Sequence, residues 1–214
     1  MDSVLLQQKI YGGYAQAASR IGPLCTLYRP ASAANPLASA NIVASLPASF
    51  NAEDMAYRKP SGYGEALRYC LIDGTQTQAG DYLVGGGNTW FIAAQQLALP
   101  ILAVACNRVL NLSRPQQLSG AGTAGYGGET AAGETVLMSG WPASVLQGGK
   151  GERSEAALPG DVRNPWWQIL LPQWAGVTLR SGDIVSDDIS RRYVISSAEL
   201  SGLGWRLTAV QAET

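Results

Sequence analysis

The segment Gly80-Asp81-Tyr82-Leu83, followed by Trp90-Phe91-Ile92-Ala93-Ala94, has a close echo further along the chain. Its counterpart is Gly182-Asp183-Ile184-Val185, followed by Tyr193-Val194-Ile195-Ser196-Ser197. In both places a Gly-Asp pair is followed by two apolar or aromatic residues. A turn comes next, and then a run of aromatic and apolar residues. Because an internal repeat determines the architecture of a chain before local propensities do, this echo is the first guide to the fold.

The echo extends towards the N-terminal side of each copy. Leu27-Tyr28-Arg29-Pro30 matches Leu112-Ser113-Arg114-Pro115, and Leu46-Pro47-Ala48-Ser49-Phe50 matches Trp141-Pro142-Ala143-Ser144-Val145. These landmarks keep their order in both halves, while their longer spacing in the second half indicates insertions. The pattern predicts a tandem duplication.

Each copy has the pattern of a meander of short strands. Gly182 tolerates a positive φ angle and Asp183 can bond to nearby backbone, so the Gly-Asp pair is suited to a turn. Residues 206–211 alternate for most of their length, as a half-buried antiparallel strand does. Short strands with turns at spacings of about 8 to 12 residues favour a small sandwich or barrel. We therefore expect a mainly β chain with two tandem small β-barrel or sandwich units.

The N-terminal residues lie outside the repeat. Apolar side chains follow helical spacing in residues 3–20, and Gly22-Pro23 is a stop signal. This short helix is expected to cover the barrel that follows it, while docking on a neighbouring subunit stays open.

Three segments follow from these patterns. We expect an N-terminal helical arm over residues 1–23, a first barrel-like repeat over 24–115 and a second over 116–214. The second repeat begins with a Gly-rich loop at 119–133. Its glycine content predicts a flexible segment between the two copies.

The composition is that of a folded protein with few charges. Of its 214 residues, 46% are apolar and 14% are charged, whereas about 25% are charged in an ordinary soluble domain. So few charges indicate a surface covered by partners, or a GC-rich genome. The net charge of −1 disfavours a binding mode that depends on neutralising phosphates.

Cysteine usage and targeting signals are uninformative about partners. Cys25, Cys70 and Cys106 lack CxxC spacing and have apolar neighbours, which indicates buried, reduced thiols. No secretory signal precedes the repeat, and no apolar run of about eighteen residues could cross a membrane. We expect a protein made in a cytoplasm and not bound to a membrane.

Catalytic patterns are weak throughout the chain. Histidine is absent, which removes the Ser-His-Asp triad, the Cys-His pair and most zinc sites. A GxGxxG at Gly120, Gly122 and Gly125 is not followed by a helix pattern, so it does not predict a dinucleotide site. We expect no enzyme activity, no cofactor and no metal.

Two side-chain groups leave other interpretations open. Asp183, Asp187 and Asp188 could bind calcium or serve a glycosidase, although aspartate is common in turns for its geometry alone. Trp166 and Trp167 could stack on a sugar or a base. Alternation along a strand would instead place one ring in the core and the other at a surface or partner contact.

The C-terminal half resembles the small β-barrel of tailed-bacteriophage head-closure, or head-to-tail joining, proteins. The resemblance lies in Trp141-Pro142-Ala143-Ser144, Gly182-Asp183-Ile184-Val185, Arg191-Arg192-Tyr193-Val194-Ile195 and Trp205-Arg206-Leu207-Thr208-Ala209. Head-closure proteins are usually single barrels, and this chain departs from them by its second barrel and its N-terminal helix. The whole chain also looks like structural proteins of phages and prophages.

The resemblance implies a structural virion protein in the phage neck, made in the host cytoplasm. It would form a homo-oligomeric ring around the DNA channel, between a portal or adaptor protein and a tail-tube or tail-terminator protein. Genomic DNA would pass through without specific binding. Six chains with two barrels each would offer twelve similar surfaces to a twelve-fold portal, and three chains would suit a six-fold to three-fold junction.

A baseplate or tail-tip component is the alternative, and a carbohydrate-binding virion module is a more distant one. The carbohydrate module would use Trp166, Trp167 and Trp174 with the aspartate cluster. For the structural role, the candidate interface or channel residues are Tyr126, Glu129, Trp166, Trp174, Asp187 and Asp188.

Overall fold

A computed structural model describes residues 2–51, 66–116, 133–148 and 166–212. In these ranges the chain has a helix α1 (Ser3–Ile21), a short 3-10 turn (Ser39–Asn41) and a series of strands. The strands are β1 (Leu24–Tyr28), β2 (Ile42–Pro47), β3 (Ser49–Asn51), β4 (Leu67–Leu71), β5 (Tyr82–Gly85), β6 (Asn88–Ala94), β7 (Ile101–Cys106), β8 (Arg108–Pro115), β9 (Glu134–Gln147), β10 (Trp166–Leu171), β11 (Ile184–Asp187), β12 (Arg192–Ser201) and β13 (Gly204–Gln211).

The strands form two antiparallel sheets. The first has seven strands in the order β2-β1-β5-β6-β7-β4-β3, and the second is a closed barrel in the order β10-β13-β12-β11-β8-β9. The prediction of a mainly β chain with two β units and a short N-terminal helix is therefore confirmed.

Both sheets follow the same path. Strands β1, β4, β5, β6 and β7 take the places of β8, β10, β11, β12 and β13, and β2 together with β3 takes the place of β9. Only Ala48 separates β2 from β3, which lie at opposite edges of the first sheet. Since consecutive Cα atoms are about 3.8 Å apart, the chain itself brings those two edges together.

The pairing registers agree as closely as the strand order does. Both β6–β7 and β12–β13 shift register after an isoleucine, between Ile92 and Ala94 and between Ile195 and Ser197. The landmarks matched in the sequence therefore occupy the same places in the two units. Corresponding pairs are Cys25 with Leu46 and Leu110 with Trp141, Ser49 with Leu71 and Ser144 with Leu170, and Phe91 with Val104 and Val194 with Val210.

Strand β8 corrects the predicted boundary between the repeats. It pairs with β9 and β11 in the barrel, because it is the counterpart of the first strand of the first sheet. The break between the sheets thus lies at Asn107 and not between 115 and 116. We call residues 24–106 the first unit and residues 108–212 the second unit.

Two apolar cores fill the units. The first core lies within the first unit, and the second core fills the barrel and also includes Tyr82, Phe91 and Val104 of the first unit. Side chains alternate along β5 to β7, so these strands are buried on both faces. The first core consists of Cys25, Leu27, Leu46, Ala48, Cys70, Ile72, Leu83, Ile92, Ile101 and Ala103.

The three cysteines are free thiols, as their spacing predicts. Cys25 and Cys70 are buried in the first core, and Cys106 is partly buried against the second core. Burial raises the pKa of the Cys25 thiol, which keeps the side chain neutral and apolar in character.

Helix α1 packs on the first unit of its own chain. Ala18 is buried and Tyr11 packs against the first core. The side-chain oxygen of Gln7 accepts a hydrogen bond from the N–H of Ala98 at 2.6 Å. The helix ends at Gly22, as its stop signal predicts, and the N–H of Gly22 donates to the carbonyl of Ala18 at 2.7 Å.

Both Gly-Asp turns need a glycine conformation. Gly80 has a φ of +92° and Gly182 a φ of +87°. We expect Gly182→Ala to lower the free energy of unfolding by about 1–2 kcal/mol, because a Cβ disfavours this region of φ. Urea unfolding followed by circular dichroism measures this difference.

The matched control is Gly12→Ala in the open surface of α1, where an added Cβ has no atom within 4 Å. Alanine is the better helix former, so this change should stabilise the protein by up to about 1 kcal/mol. Equal stability of Gly182→Ala and the wild type would contradict the strain argument.

Candidate functional site

An arginine–aspartate pair anchors the Gly-Asp turn of the first unit. Nε and Nη2 of Arg29 donate to the two carboxylate oxygens of Asp81, at 2.9 and 2.8 Å. Nη2 also donates to the carbonyl of Gln76 at 3.1 Å, and the N–H of Gln78 donates to Asp81 at 2.9 Å. Asp81 is completely buried, so one carboxylate ties together β1, the turn and the start of β5.

The second unit repeats this arrangement atom for atom. Nε and Nη2 of Arg114 donate to the two oxygens of Asp183, at 2.7 and 2.9 Å. Nη2 also donates to the carbonyl of Thr178, and the N–H of Arg180 donates to Asp183. The hydrogen bonds to Asp81 and Asp183 raise the pKa values of Arg29 and Arg114.

These pairs have a structural role. Both oxygens of the buried Asp183 accept hydrogen bonds from Arg114 on β8, and one of them also accepts from the N–H of Arg180 in the turn. The carboxylate is therefore occupied by its own chain and is held away from the surface. Within the described ranges, no three acidic or cysteine side chains lie close enough together to hold a metal ion.

Asp187 also belongs to a turn. Its carboxylate accepts hydrogen bonds from the N–H of Arg191 at 2.8 Å and from the hydroxyl of Tyr193 at 2.9 Å. Burial and this bond to Asp187 raise the pKa of Tyr193. The neighbouring Asp188 is 44% exposed, and Nε of Arg108 lies 3.9 Å from both carboxylates. Of the two predicted interface aspartates, only Asp188 is at the surface.

The tryptophans divide between core and surface. Trp174 is half-buried, and its ring lies 5.8 Å from the ring of the buried Trp141. Trp167 packs against the second core, with its ring 5.7 Å from that of Tyr193. Trp166 is half-buried on the opposite face of β10, outside both cores. Of the two tryptophans of this strand, Trp167 thus packs against a core and Trp166 lies outside the cores.

Two of the predicted interface residues, Tyr126 and Glu129, lie outside the described residues. The predicted Gly-rich loop at 119–133 also lies almost entirely outside the described residues. Their role stays a prediction.

The junction between the units is a feature that the sequence patterns missed. The hydroxyl of Tyr82 donates to the carbonyl of Pro142 at 2.8 Å, and its ring lies edge-on to Trp141 at 6.0 Å. Nε1 of Trp141 donates to the carbonyl of Ala33 at 2.7 Å. Tyr82 itself could have indicated the junction. The second unit has Ile184 at the corresponding position, and the hydroxyl of a buried tyrosine needs a hydrogen-bond acceptor.

A row of side chains across β4, β7, β6, β5 and β1 forms the first unit's side of this junction. Its members are neighbours in the pairing register and are buried in, or pack against, the second core. A groove of about 340 Å³ remains between this row and Leu170 and Trp205 of the second unit. The junction row consists of Leu67, Val104, Phe91, Tyr82 and Tyr28.

A second polar group joins strands of the barrel. Glu134 on β9 accepts hydrogen bonds from Ser113 on β8 and from Arg192 on β12. Burial alone would raise the pKa of Glu134, but the hydrogen bonds from Ser113 and Arg192 outweigh it and hold the pKa below its usual value. The carboxylate is therefore charged in the folded protein at neutral pH.

Comparison with known proteins provides no assignment, since no family model, curated protein or solved structure matches this chain. In the described part of the chain, no helix is both long and apolar enough to cross a membrane.

The buried Arg–Asp pair should matter far more than a surface pair. We expect Asp183→Asn to lower the free energy of unfolding by about 2–4 kcal/mol, because it leaves Arg114 and the N–H of Arg180 with a poorer acceptor. Glu199→Gln, which weakens the exposed pair with Arg206, should cost less than about 1 kcal/mol. Similar losses in urea unfolding of the two variants would contradict this ranking.

The Glu134 network predicts a dependence on pH. A lowered native pKa stabilises the fold above the ordinary value of 4.5, and this contribution is lost as the pH falls through the native pKa. Glu134→Gln should therefore lower the melting temperature at pH 7, and the difference should shrink on acidification. Thermal unfolding of both proteins, measured from pH 7 down through the native pKa of Glu134, tests this prediction. A difference in melting temperature that does not change with pH would show that Glu134 acts by packing alone.

Proposed function

We propose that this chain is a structural subunit of a tailed-bacteriophage neck, where a ring of copies joins head to tail around the DNA channel. The observation that carries the proposal is the repetition of one strand order, register by register, within a single chain. Each chain of this kind presents two similar surfaces, one on each of its two units. A ring of six chains would then match twelve portal subunits on one side and a six-fold tail on the other.

The rigid junction supports this role. Tyr82, Phe91 and Val104 of the junction row are buried in the second core, and Tyr82 is held both by its hydroxyl and by its ring contact with Trp141. Close-packed contacts of this kind hold two bodies in one orientation. A connector needs this property, because both of its surfaces must face their partners at a fixed angle.

Exposed apolar side chains recur at corresponding places in the two units. Leu24 faces Pro47 as Val109 faces Pro142, and both Leu24 and Val109 are exposed. Ile42, opposite Tyr28, and Val136, opposite Ser113, form a second exposed pair. Apolar residues that are exposed in one chain but recur in its repeat fit a protein that is covered by partners after assembly.

A carbohydrate-binding module is not favoured. The ring of Trp174 packs at a tilt of 55° against Trp141, and the carboxylates of Asp183 and Asp187 are occupied by hydrogen bonds from their own chain. Sugar-binding sites instead need aromatic faces and acceptors that are open to the ligand.

Cryo-electron microscopy of the intact particle tests the proposal. We expect density for this chain as a ring between portal and tail tube, and deletion of its gene should yield heads and tails that fail to join. Density at the distal tip would move the protein to the baseplate or tail tip. Absence from the particle would overturn the proposal of a structural role.

A further inference from the structure

The surface by which the first unit contacts the second has a counterpart on the second unit. The junction row of the first unit has a counterpart at the same register positions of the second unit. This counterpart, which we call the second row, consists of Trp166, Val210, Val194, Ile184 and Ser113. None of its members carries a charge, and all but Ser113 are apolar or aromatic.

The second row is less covered than the first at its centre. Phe91 and Val104 of the junction row are 1% and 2% exposed, whereas their counterparts Val194 and Val210 are half-buried and belong to neither core. Next to them, the buried Ala93 corresponds to the exposed Ser196. Ile184 and Ser113 of the second row are themselves buried, so the second row is more open than the junction row at Val194 and Val210 only.

Strand β9 is the part of the second unit that hydrogen-bonds directly to the first unit, whereas Leu170 and Trp205 face the junction row across the groove. The carbonyl of Pro142 accepts the hydroxyl of Tyr82, the backbone of Ser139 exchanges hydrogen bonds with residues 33 and 35, and Leu137 packs against the second core. These contacts cover most of the strand, and Pro142 is buried.

The counterpart of β9 in the first unit is β2, which is more open at the places that correspond to Leu137 and Pro142. Val43, in the position of Leu137, is 48% exposed, and Ser45 is exposed as well. Pro47 is half-buried where Pro142 is buried. Strand β2 contains no charged residue, so its surface has the apolar character of an interface core.

We propose that the second row of one chain docks on β2 of another copy of the same chain, repeating between chains the contact that joins the two units within a chain. The two faces differ, so the contact is heterologous and propagates head to tail until a ring closes. The inference rests on the proposed function in that it names the surfaces by which copies in the ring meet. Six chains joined in this way would form a ring of twelve units in similar environments.

Two variants that each remove one face test the proposal. Val43→Glu places a charge on β2, and Val194→Glu places one in the second row; each should weaken association at least about tenfold, since the charge would be buried without a partner. Native mass spectrometry and light scattering measure the oligomer, and circular dichroism verifies that each variant is folded. Leu97→Glu, at an exposed leucine outside both faces, is the control and should assemble like the wild type.

Mixing the two variants identifies the kind of contact. Each variant alone should be monomeric, while an equimolar mixture should form a heterodimer, because each chain then supplies the face that the other lacks. Wild-type protein that stays monomeric at high concentration, variants that assemble normally, or a mixture without heterodimer would each overturn the proposal.

If Val194→Glu does not fold, Ser196→Arg replaces it, because Ser196 is already exposed beside the second row. Rings in solution that depend on both faces would support the inference even if the chain is absent from the phage neck. Conversely, a neck ring whose subunits meet elsewhere would leave the proposed function intact and overturn only this inference.

Discussion

The buried carboxylates of Asp81 and Asp183 are the constraint on which the two barrels depend. Each must be fully hydrogen-bonded, because a buried charge without partners is costly. The arginine at the end of the first strand of each unit, Arg29 or Arg114, supplies two of these bonds. This requirement links the start of a unit to a turn much later in the chain, and so determines where β5 and β11 enter their sheets.

The junction determines how the barrels are used. Alternation along β5 to β7 turns one set of side chains into the first core and the other set towards the second unit. Strands β5 to β7 of the first unit are therefore covered on both faces. The corresponding outer face of the second unit is more open, at Val194 and Val210. A duplicated chain in which one of two similar faces is less covered than the other has the asymmetry that head-to-tail assembly needs.

Much of this architecture could be predicted from the residues alone. The Gly-Asp and Arg-Pro landmarks lie at matching register positions, helix α1 ends at its glycine, and Trp166 and Trp167 fall on opposite faces of β10. The boundary at 115/116 was placed too late, since Arg108–Pro115 pairs within the barrel, in agreement with the match of Leu112–Pro115 to Leu27–Pro30 near the start of the first repeat. The aspartates of the candidate cluster differ in role because their hydrogen-bond partners are distant in sequence, or are backbone groups placed by the turn.

The sequence by itself determined the repeat, the strand periodicity and the turn chemistry, because these depend on residues that are close together in the chain. Only the tertiary structure decided which arginine meets which aspartate, which face of each unit is covered, and that Tyr82 bonds to Pro142. These contacts join residues more than fifty positions apart, and both units carry the same local signals. The local sequence pattern cannot tell which of two similar surfaces is covered, because this depends on how the two units pack against each other.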